Sequence, residues 1–347
     1  MPEIETALEN RPYNPNVKYI AIYLTPIGKH AQDKEQRKIY YQVKEKLLLR
    51  NISSQCIETE KMLKVLADDE KPNRYGKTKN NFAYTLQNMS IAINAKLGGI
   101  PWRINTPTTK ELVVGVGAFK HVDINVQYIG SAFSFDNTGA FNSFEYFHRD
   151  QTAELAGSIE ESIINFTKIN NRPNRLIIHF FKEMSEQEIE PIERVLHNLG
   201  LDLPVFVVTI NKTESEDFVV FDGKNNDLMP YSGRYINLGN NTYLLCNNTR
   251  YESDQREENK SNPMDGFPFP VKLKIHCPND HGLQFNTNII AGLIDQVYQF
   301  SRIYWKSVKQ QNLPVTIKYP EMVAQIAPHF AGGNIPPNIG KNNLWFL

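Results

Sequence analysis

The sequence predicts an α/β protein in two parts, and three observations predict it. Continuous apolar runs of strand length alternate with longer segments whose apolar residues recur at helical spacing. Each run is closed by Gly, Pro or Asn punctuation. The N-terminal part reads strand, helix, strand, helix, the order of a parallel α/β unit, whereas the later part mixes turn-linked strands with helices.

Taken in order, residues 1–16 (MPEIETALENRPYNPN) are a polar arm without the apolar centre of a secretory signal. VKYIAIYLTP (17–26) is an apolar strand stopped by Pro26 and Gly28. Residues 33–50 have the charge pairs and apolar spacing of an amphipathic helix, 52–58 form a short strand, and a polar stretch with Pro72 and Gly76 follows. Residues 80–97 are again helical, closed by Gly98 and Gly99. The Gly/Pro/Thr connection GGIPWRINTPTTK (98–110) is the expected domain boundary.

Beyond it, ELVVGVGAFK (111–120) is a buried strand. INVQYIGSAFSFD and AFNSFEYFH are antiparallel strands turning at DNTG. A helix (152–170), a strand (174–181) and a helix opened by a Ser185/Glu188 capping box (185–200) come next. PVFVVTINK, DFVVFDG, RYINLG and TYLLCN read as strands, and the charged run 253–266 as a mobile surface loop. FPVKLKIHC is a strand, 288–308 a long helix, and YPEMVAQIAPHF the last helix.

Composition narrows the function classes. Lys plus Arg and Asp plus Glu are 38 each, so there is no global basic excess of the kind that marks many phosphate binders. A local basic groove remains compatible with neutrality. Three cysteines without a CxxC pair suit a reducing compartment. No apolar run approaches the length of a membrane span, so a soluble, cytoplasmic protein is expected.

A two-metal nuclease needs carboxylates at adjacent strand ends, so that ions roughly 4 Å apart grip the scissile phosphate. The first such strand offers Gly117 and the neighbouring one Phe180 and Phe181, none of them an oxygen donor. Asp123 and Asp136, nearby in sequence, read as solvated acids. Gly115 and Gly117 lack the third glycine of a dinucleotide fingerprint, because position 120 is Lys. His276, Cys277 and His281 do not have zinc spacing, and no GxSxG elbow is present. The more informative group is Tyr40 and Lys44, one helical turn apart, with Gln55 and Lys96. A ring, two ammonium groups and an amide suit a terminal nucleotide, the ring for its base and the rest for its phosphate. The plainer alternative makes Tyr40 a core residue and both lysines solvated.

Those residues lie in segments that resemble a known family. IYYQVKEKLLLRNISSQCIE with NMSIAINAKLGGIPWRI resembles the MID domain of Argonaute proteins. ELVVGVGAF, NRLIIHFFKEMSEQEIEPIERVL, PVFVVTINK and FSRIYWKSV…LPVTIKYPEMVAQIAP resemble the PIWI domain. The implied fold is a partial Rossmann-like MID unit (17–105) after the N-terminal arm, followed by a ribonuclease-H-like PIWI domain (106–347) with a mixed sheet flanked by helices. A complete MID sheet would need a further half before residue 17, and no PAZ-like segment is read there.

The resemblance implies that Tyr40, Lys44, Gln55 and Lys96 hold the guide's 5′ end, with Arg302 near the same phosphate. A further family lysine is replaced by Ala92, and Mg2+ at the 5′-phosphate would use the terminal carboxylate of Leu347. The slicing positions fall on Gly117 and Phe181, with the last on Glu321, which implies no catalysis. The pattern looks like a short prokaryotic Argonaute, whose kind pairs with an APAZ-containing TIR, sirtuin-like or nuclease effector as a heterodimer in antiviral defence. Expected partners are a guide RNA (or DNA), a complementary target DNA or RNA, and that effector, which the complex switches on. The alternative is an active guide-directed endonuclease using other carboxylates.

Overall fold

The computed structural model describes residues 2–347 except 13, 15, 29–32, 73–79, 108, 121–127, 149–151, 227, 250, 253–257, 260–267, 280–285, 310, 332–334, 336–340 and 342. The chain forms two compact units: Met1–Pro101, Trp305–Ser307 and Ile326–Leu347 make the first, and Trp102–Tyr304 with Val308–Gln325 the second. The sequence reading put all of 106–347 in one domain, whereas the chain re-enters the first unit twice near its end.

In the first unit, strand β1 (Ile20–Thr25) lies parallel to β2 (Ser53–Glu58), in register from Ile20 opposite Ser53 to Thr25 opposite Glu58. Parallel neighbours need a crossover, supplied by helix α2 (Lys34–Leu48). The Asp33 carboxylate starts α2 by accepting the backbone N–H groups of Glu35 and Gln36, at 2.8 and 3.1 Å. Strand alternation puts Ala21 and Tyr23 against Val43, Leu47 and Ile52, together with Ile4 and Leu8 of α1 (Pro2–Glu9). Ile22 and Leu24, on the other face of β1, are 60% and 63% exposed. The arm expected to be merely polar is thus helical at its start, held to α2 by the Glu5–Lys46 ion pair.

Helix α3 (Thr59–Glu70) stands where the sequence suggested only a polar stretch. It buries no side chain fully, so its apolar signal is weak against its charges. Helix α4 (Asn81–Lys96) ends where Gly98 adopts φ +82°. From the chain's end, the His329 ring stacks on Tyr41 at 4.0 Å and Ala331 N–H donates to Glu45 Oε1 at 2.9 Å.

The second unit is an eight-stranded mixed sheet in the order β5-β4-β3-β6-β7-β12-β9-β8. Its strands are β3 (Glu111–Lys120), β4 (Tyr128–Asp136), β5 (Phe141–His148), β6 (Arg175–Phe180), β7 (Val205–Asn211), β8 (Tyr235–Gly239), β9 (Thr242–Leu245) and β12 (Val271–His276). β3 pairs antiparallel with β4 and parallel with β6, which is parallel to β7. One face carries α5 (Thr152–Asn170) and α6 (Glu186–Asn198): Leu112, Val114 and Val116 pack there with Ile159, Phe166 and Ile192. The opposite face meets α9 (Val315–Ile326) so closely that a Cβ on Gly115 would fall 2.1 Å from the Thr316 carbonyl oxygen. The last long helix, α8 (Thr287–Phe300), stops well short of the expected residue 308.

Asp136 is not a solvated acid. Its carboxylate closes the β4–β5 turn by accepting from Thr138 N–H, Thr138 O–H and Ala140 N–H, at 2.9, 2.7 and 2.9 Å. Residues 217–223, expected as a strand, pair with no neighbouring strand, and Asp222 instead binds Arg234 at 2.9 Å. The run 253–266 lies outside the described residues apart from Glu258–Asn259 (β11), which pairs with Tyr251–Glu252 (β10). Asp123 and His281 also lie outside them. Among the described residues no helix is long and apolar enough to cross a membrane.

Candidate functional site

The carboxyl end of a parallel strand is where α/β sheets open a crevice, because the chain leaves the strand there for its next helix. In the first unit that place is Gln55–Glu58 of β2, and a cleft of about 410 Å3 lies against it. Its walls include Lys61 of α3, Asn88 and Ala92 of α4, Lys306 and Leu347.

Lys96 is buried at the end of α4, where its Nζ donates to the Ser54 carbonyl and to Gln55 Oε1, both at 2.8 Å. Lys44 is equally buried, its Nζ donating to the Trp345 carbonyl at 2.9 Å and lying 5.5 Å from that residue's ring. Burial pushes the Lys96 ammonium well below its ordinary pKa, and the charges of Lys44 and Lys306 push it further down. Burial raises the Tyr40 phenol, and Cys56, Tyr41 and Glu58 raise it too, which sets its hydroxyl beside the residues of the cleft. The Cys56 thiol is pushed up to about 11 by burial and Glu58, against the pull of Lys44 and Lys96. A weakly ionised thiol is a poor nucleophile and a poor metal ligand.

Of the residues singled out in the sequence, Lys96 and Gln55 are thus directly bonded, and Lys44 lies within electrostatic reach of Lys96. Leu347 lines the same cleft. Arg302 belongs to the second unit, just past the end of α8. There its guanidinium donates to the Asn247 carbonyl and, at 3.0 Å, to Asn247 Oδ1, and lies 4.4 Å from the Tyr298 ring centroid. Lys61 and Lys306 were missed. Lys61 sits on the helix whose signal is weak, and nothing local ties Lys306 to a strand some 250 residues earlier.

A divalent ion beside Leu347 would meet an unsuitable donor set. Gln55 Oε1 already accepts from Lys96. Glu58 covers Gly28, where a Cβ would fall 2.1 Å from its carboxyl carbon. Ala92 presents only a methyl group, and Lys61 and Lys306 bring positive charge to the walls. Hard cations need several oxygen donors, with carboxylates prominent among them. Among the described residues no group of three His, Cys, Asp or Glu side chains is placed to hold a metal.

In the second unit, Gly117 and Phe181 stand near the ends of the adjacent parallel strands β3 and β6. A Cβ on Gly117 would fall 2.7 Å from Pro320 Cβ of α9, the helix that also carries Glu321. The Phe181 ring packs at 5.1 Å on Phe180, against the core under α5 and α6. A larger cleft, of about 470 Å3, opens at the other end of these strands over the Glu111–Arg175 ion pair. With Asp295 on its wall it has no positive excess, unlike the lysine-lined cleft.

Comparison with known proteins places this architecture. Residues 31–331 match the family model described as the Piwi domain. The chain belongs to the Piwi-domain family. It is an Argonaute-like Piwi protein, 24% identical over 288 residues to the Piwi protein of Archaeoglobus fulgidus, covering 77% of this chain and 66% of the relative. It is likewise 24% identical over 352 residues to the protein argonaute of Cereibacter sphaeroides, covering 92% of this chain and 42% of that one. Among solved structures, Clostridium butyricum Argonaute bound to a guide DNA (5′ deoxycytidine) and a 19-mer target DNA superposes with a TM-score of 0.64 at 19% identity. That match covers 99% of this chain and 41% of the other, and it agrees with a ribonuclease-H-like PIWI sheet. The Piwi protein therefore spans less than two thirds of the length of these relatives.

Proposed function

We propose that this Piwi protein is a non-catalytic guide-binding subunit that holds the 5′-phosphorylated end of a short guide at the cleft beside β2. The observation that carries this reading is the gathering of Lys44, Lys96 and Lys306, close enough that the first and last drive protons off Lys96. Like charges brought together out of water are unfavourable until an anion joins them. A phosphate monoester carries nearly two negative charges near neutral pH and accepts several charge-assisted hydrogen bonds. Tyr40 and Gln55 supply the ring and amide for the terminal nucleotide.

The guide, RNA by preference over DNA, then selects complementary invader nucleic acid by base pairing, which supplies the sequence choice. The likeness to an Argonaute solved with guide and target DNA supports nucleic acid as the partner. Target recognition passes to an APAZ-containing effector of the TIR, sirtuin-like or nuclease kind, in an antiviral heterodimer in the cytoplasm. The absence of cutting is favoured by Gly117 and Phe181, neither of which has an oxygen to offer a metal.

The test compares short RNAs and DNAs carrying a 5′-phosphate or a 5′-hydroxyl, by fluorescence anisotropy. A preference for the phosphate on the order of tenfold or more is expected, the worth of one or two charge-assisted hydrogen bonds. Lys44→Ala combined with Lys96→Ala should abolish that preference while circular dichroism stays native. If the double variant still favours the phosphate as the parent does, the cleft is misassigned. Incubation of guide, matched target and Mn2+ should leave the target whole, and a guide-positioned cut would return the protein to the nucleases.

A further inference from the structure

We infer that the cleft binds its phosphate by ammonium groups alone, with Lys306 supplying charge that a divalent ion would otherwise bring. This rests on the guide-end reading and specifies how that end is held. Three features of the cleft point the same way. First, oxygen donors for a hard cation are few. Ala92, one turn before Lys96, contributes a methyl group, and the Gln55 carbonyl oxygen is engaged by Lys96 at 2.8 Å. The Glu58 carboxyl group covers Gly28, which leaves the carboxylate of Leu347 and the neutral oxygens of Thr85 and Asn88.

Second, the positive charge is already there. Lys61 and Lys306 line the walls, and Lys96 is bonded to Gln55 on the same rim. A dication entering among these groups would be repelled by each of them, whereas a phosphate would be attracted by all. Third, the wall lysine acts on the buried one. Lys306 is close enough to Lys96 to disfavour its protonation, so an anion between them relieves the repulsion and returns a full charge to Lys96. The Leu347 carboxylate then serves as a counter-charge to the lysines before the guide arrives, and Mg2+ has no position to fill.

The experiment measures binding of one short RNA, 5′-phosphorylated or 5′-hydroxylated, to the full chain in EDTA and in Mg2+ at matched ionic strength. The affinity for the phosphorylated RNA is expected to agree within about twofold between the two buffers, a difference of well under 1 kcal/mol. Lys306→Ala and the length-conserving Lys306→Gln should each weaken it by about tenfold, the scale of one charge-assisted hydrogen bond, and leave the hydroxylated RNA unaffected. Unchanged urea midpoints would show that both variants fold. A phosphate preference present only with Mg2+, or stoichiometric Mn2+ uptake on adding phosphorylated RNA as read by electron paramagnetic resonance, would overturn the inference while sparing the guide-end reading. Equal binding of the two RNAs in both buffers would remove the guide-end reading and the inference together. Lys306 variants that bind like the parent would show that the charge comes from elsewhere.

Discussion

At the scale of single residues, Lys96 and Cys56 make opposite contributions to pH dependence. The folded chain binds a proton at Lys96 less readily than the unfolded chain, whose lysine has its ordinary pKa of 10.5. Between those two values the unfolded state holds more protons, so stability rises with pH. The Cys56 thiol behaves the other way: its folded pKa, about 11, lies above the ordinary 9.0, so the stability it contributes is present below pH 9 and is lost as pH climbs through 11. Urea midpoints of the ligand-free protein should therefore increase from neutral pH toward 9. Lys96→Met should flatten that rise, and Cys56→Ala the decline above it. Phosphate binding should take up protons in the same window, seen by calorimetry in two buffers of different ionisation enthalpy.

Glycines set another residue-scale constraint. Gly117→Asp, which would put a carboxylate back on β3, should lower stability by about 1–3 kcal/mol, because its Cβ would overlap Pro320 of α9. It should also yield no cleavage. A variant as stable as the parent in urea, or one that cuts, would contradict the close seating of α9 on this strand.

At the scale of elements, α6 shows a helix whose start is written locally. Ser185 N–H and O–H both donate to Glu188 Oε2 at 2.9 Å. Although burial opposes it, bonds from Lys182 and Ser185 hold the Glu188 carboxyl below its ordinary pKa. Ser185→Ala should cost about 1 kcal/mol in urea unfolding, and Ser185→Asp should restore most of it. Helix α3 is the opposite case. It buries no residue, so its apolar positions carry no decisive stripe, yet Lys61, Met62 and Val65 form one wall of the cleft. Pattern reading finds helices by what they bury, and a helix that mainly borders a binding cleft gives such reading little to use. The segment 217–223 failed for a related reason: its apolar residues alternate as in a strand, but Val219 and Phe221 are exposed and no neighbour offers them a ladder.

At the scale of the molecule, the returning C-terminal stretch completes the first unit. Trp345 is fully buried, accepts from Lys44 across 301 residues of sequence, and lies 5.9 Å from the Phe330 ring. Trp345→Ala should destabilise by about 3–5 kcal/mol. It should also weaken the preference for 5′-phosphorylated ends, since Lys44 would lose the carbonyl's fixed position. Differential scanning calorimetry with and without phosphorylated RNA reads both effects. Native stability with an unchanged preference would mean that the stretch is not part of the site.

The sequence by itself determined the local grammar: apolar runs and caps that specify strands and helices, the mixed sheet class, and the Tyr40, Lys44, Gln55 and Lys96 group carried by contiguous motifs. These are legible because neighbours two, three or four positions apart share a face, so composition along the chain records them. The tertiary structure alone decided that Lys306 and Leu347 meet Gln55 at one cleft, that Arg302 is engaged by Asn247, and that α9 presses on Gly115 and Gly117. Such meetings join segments hundreds of residues apart, set by how whole elements pack, and no spacing along the chain encodes them.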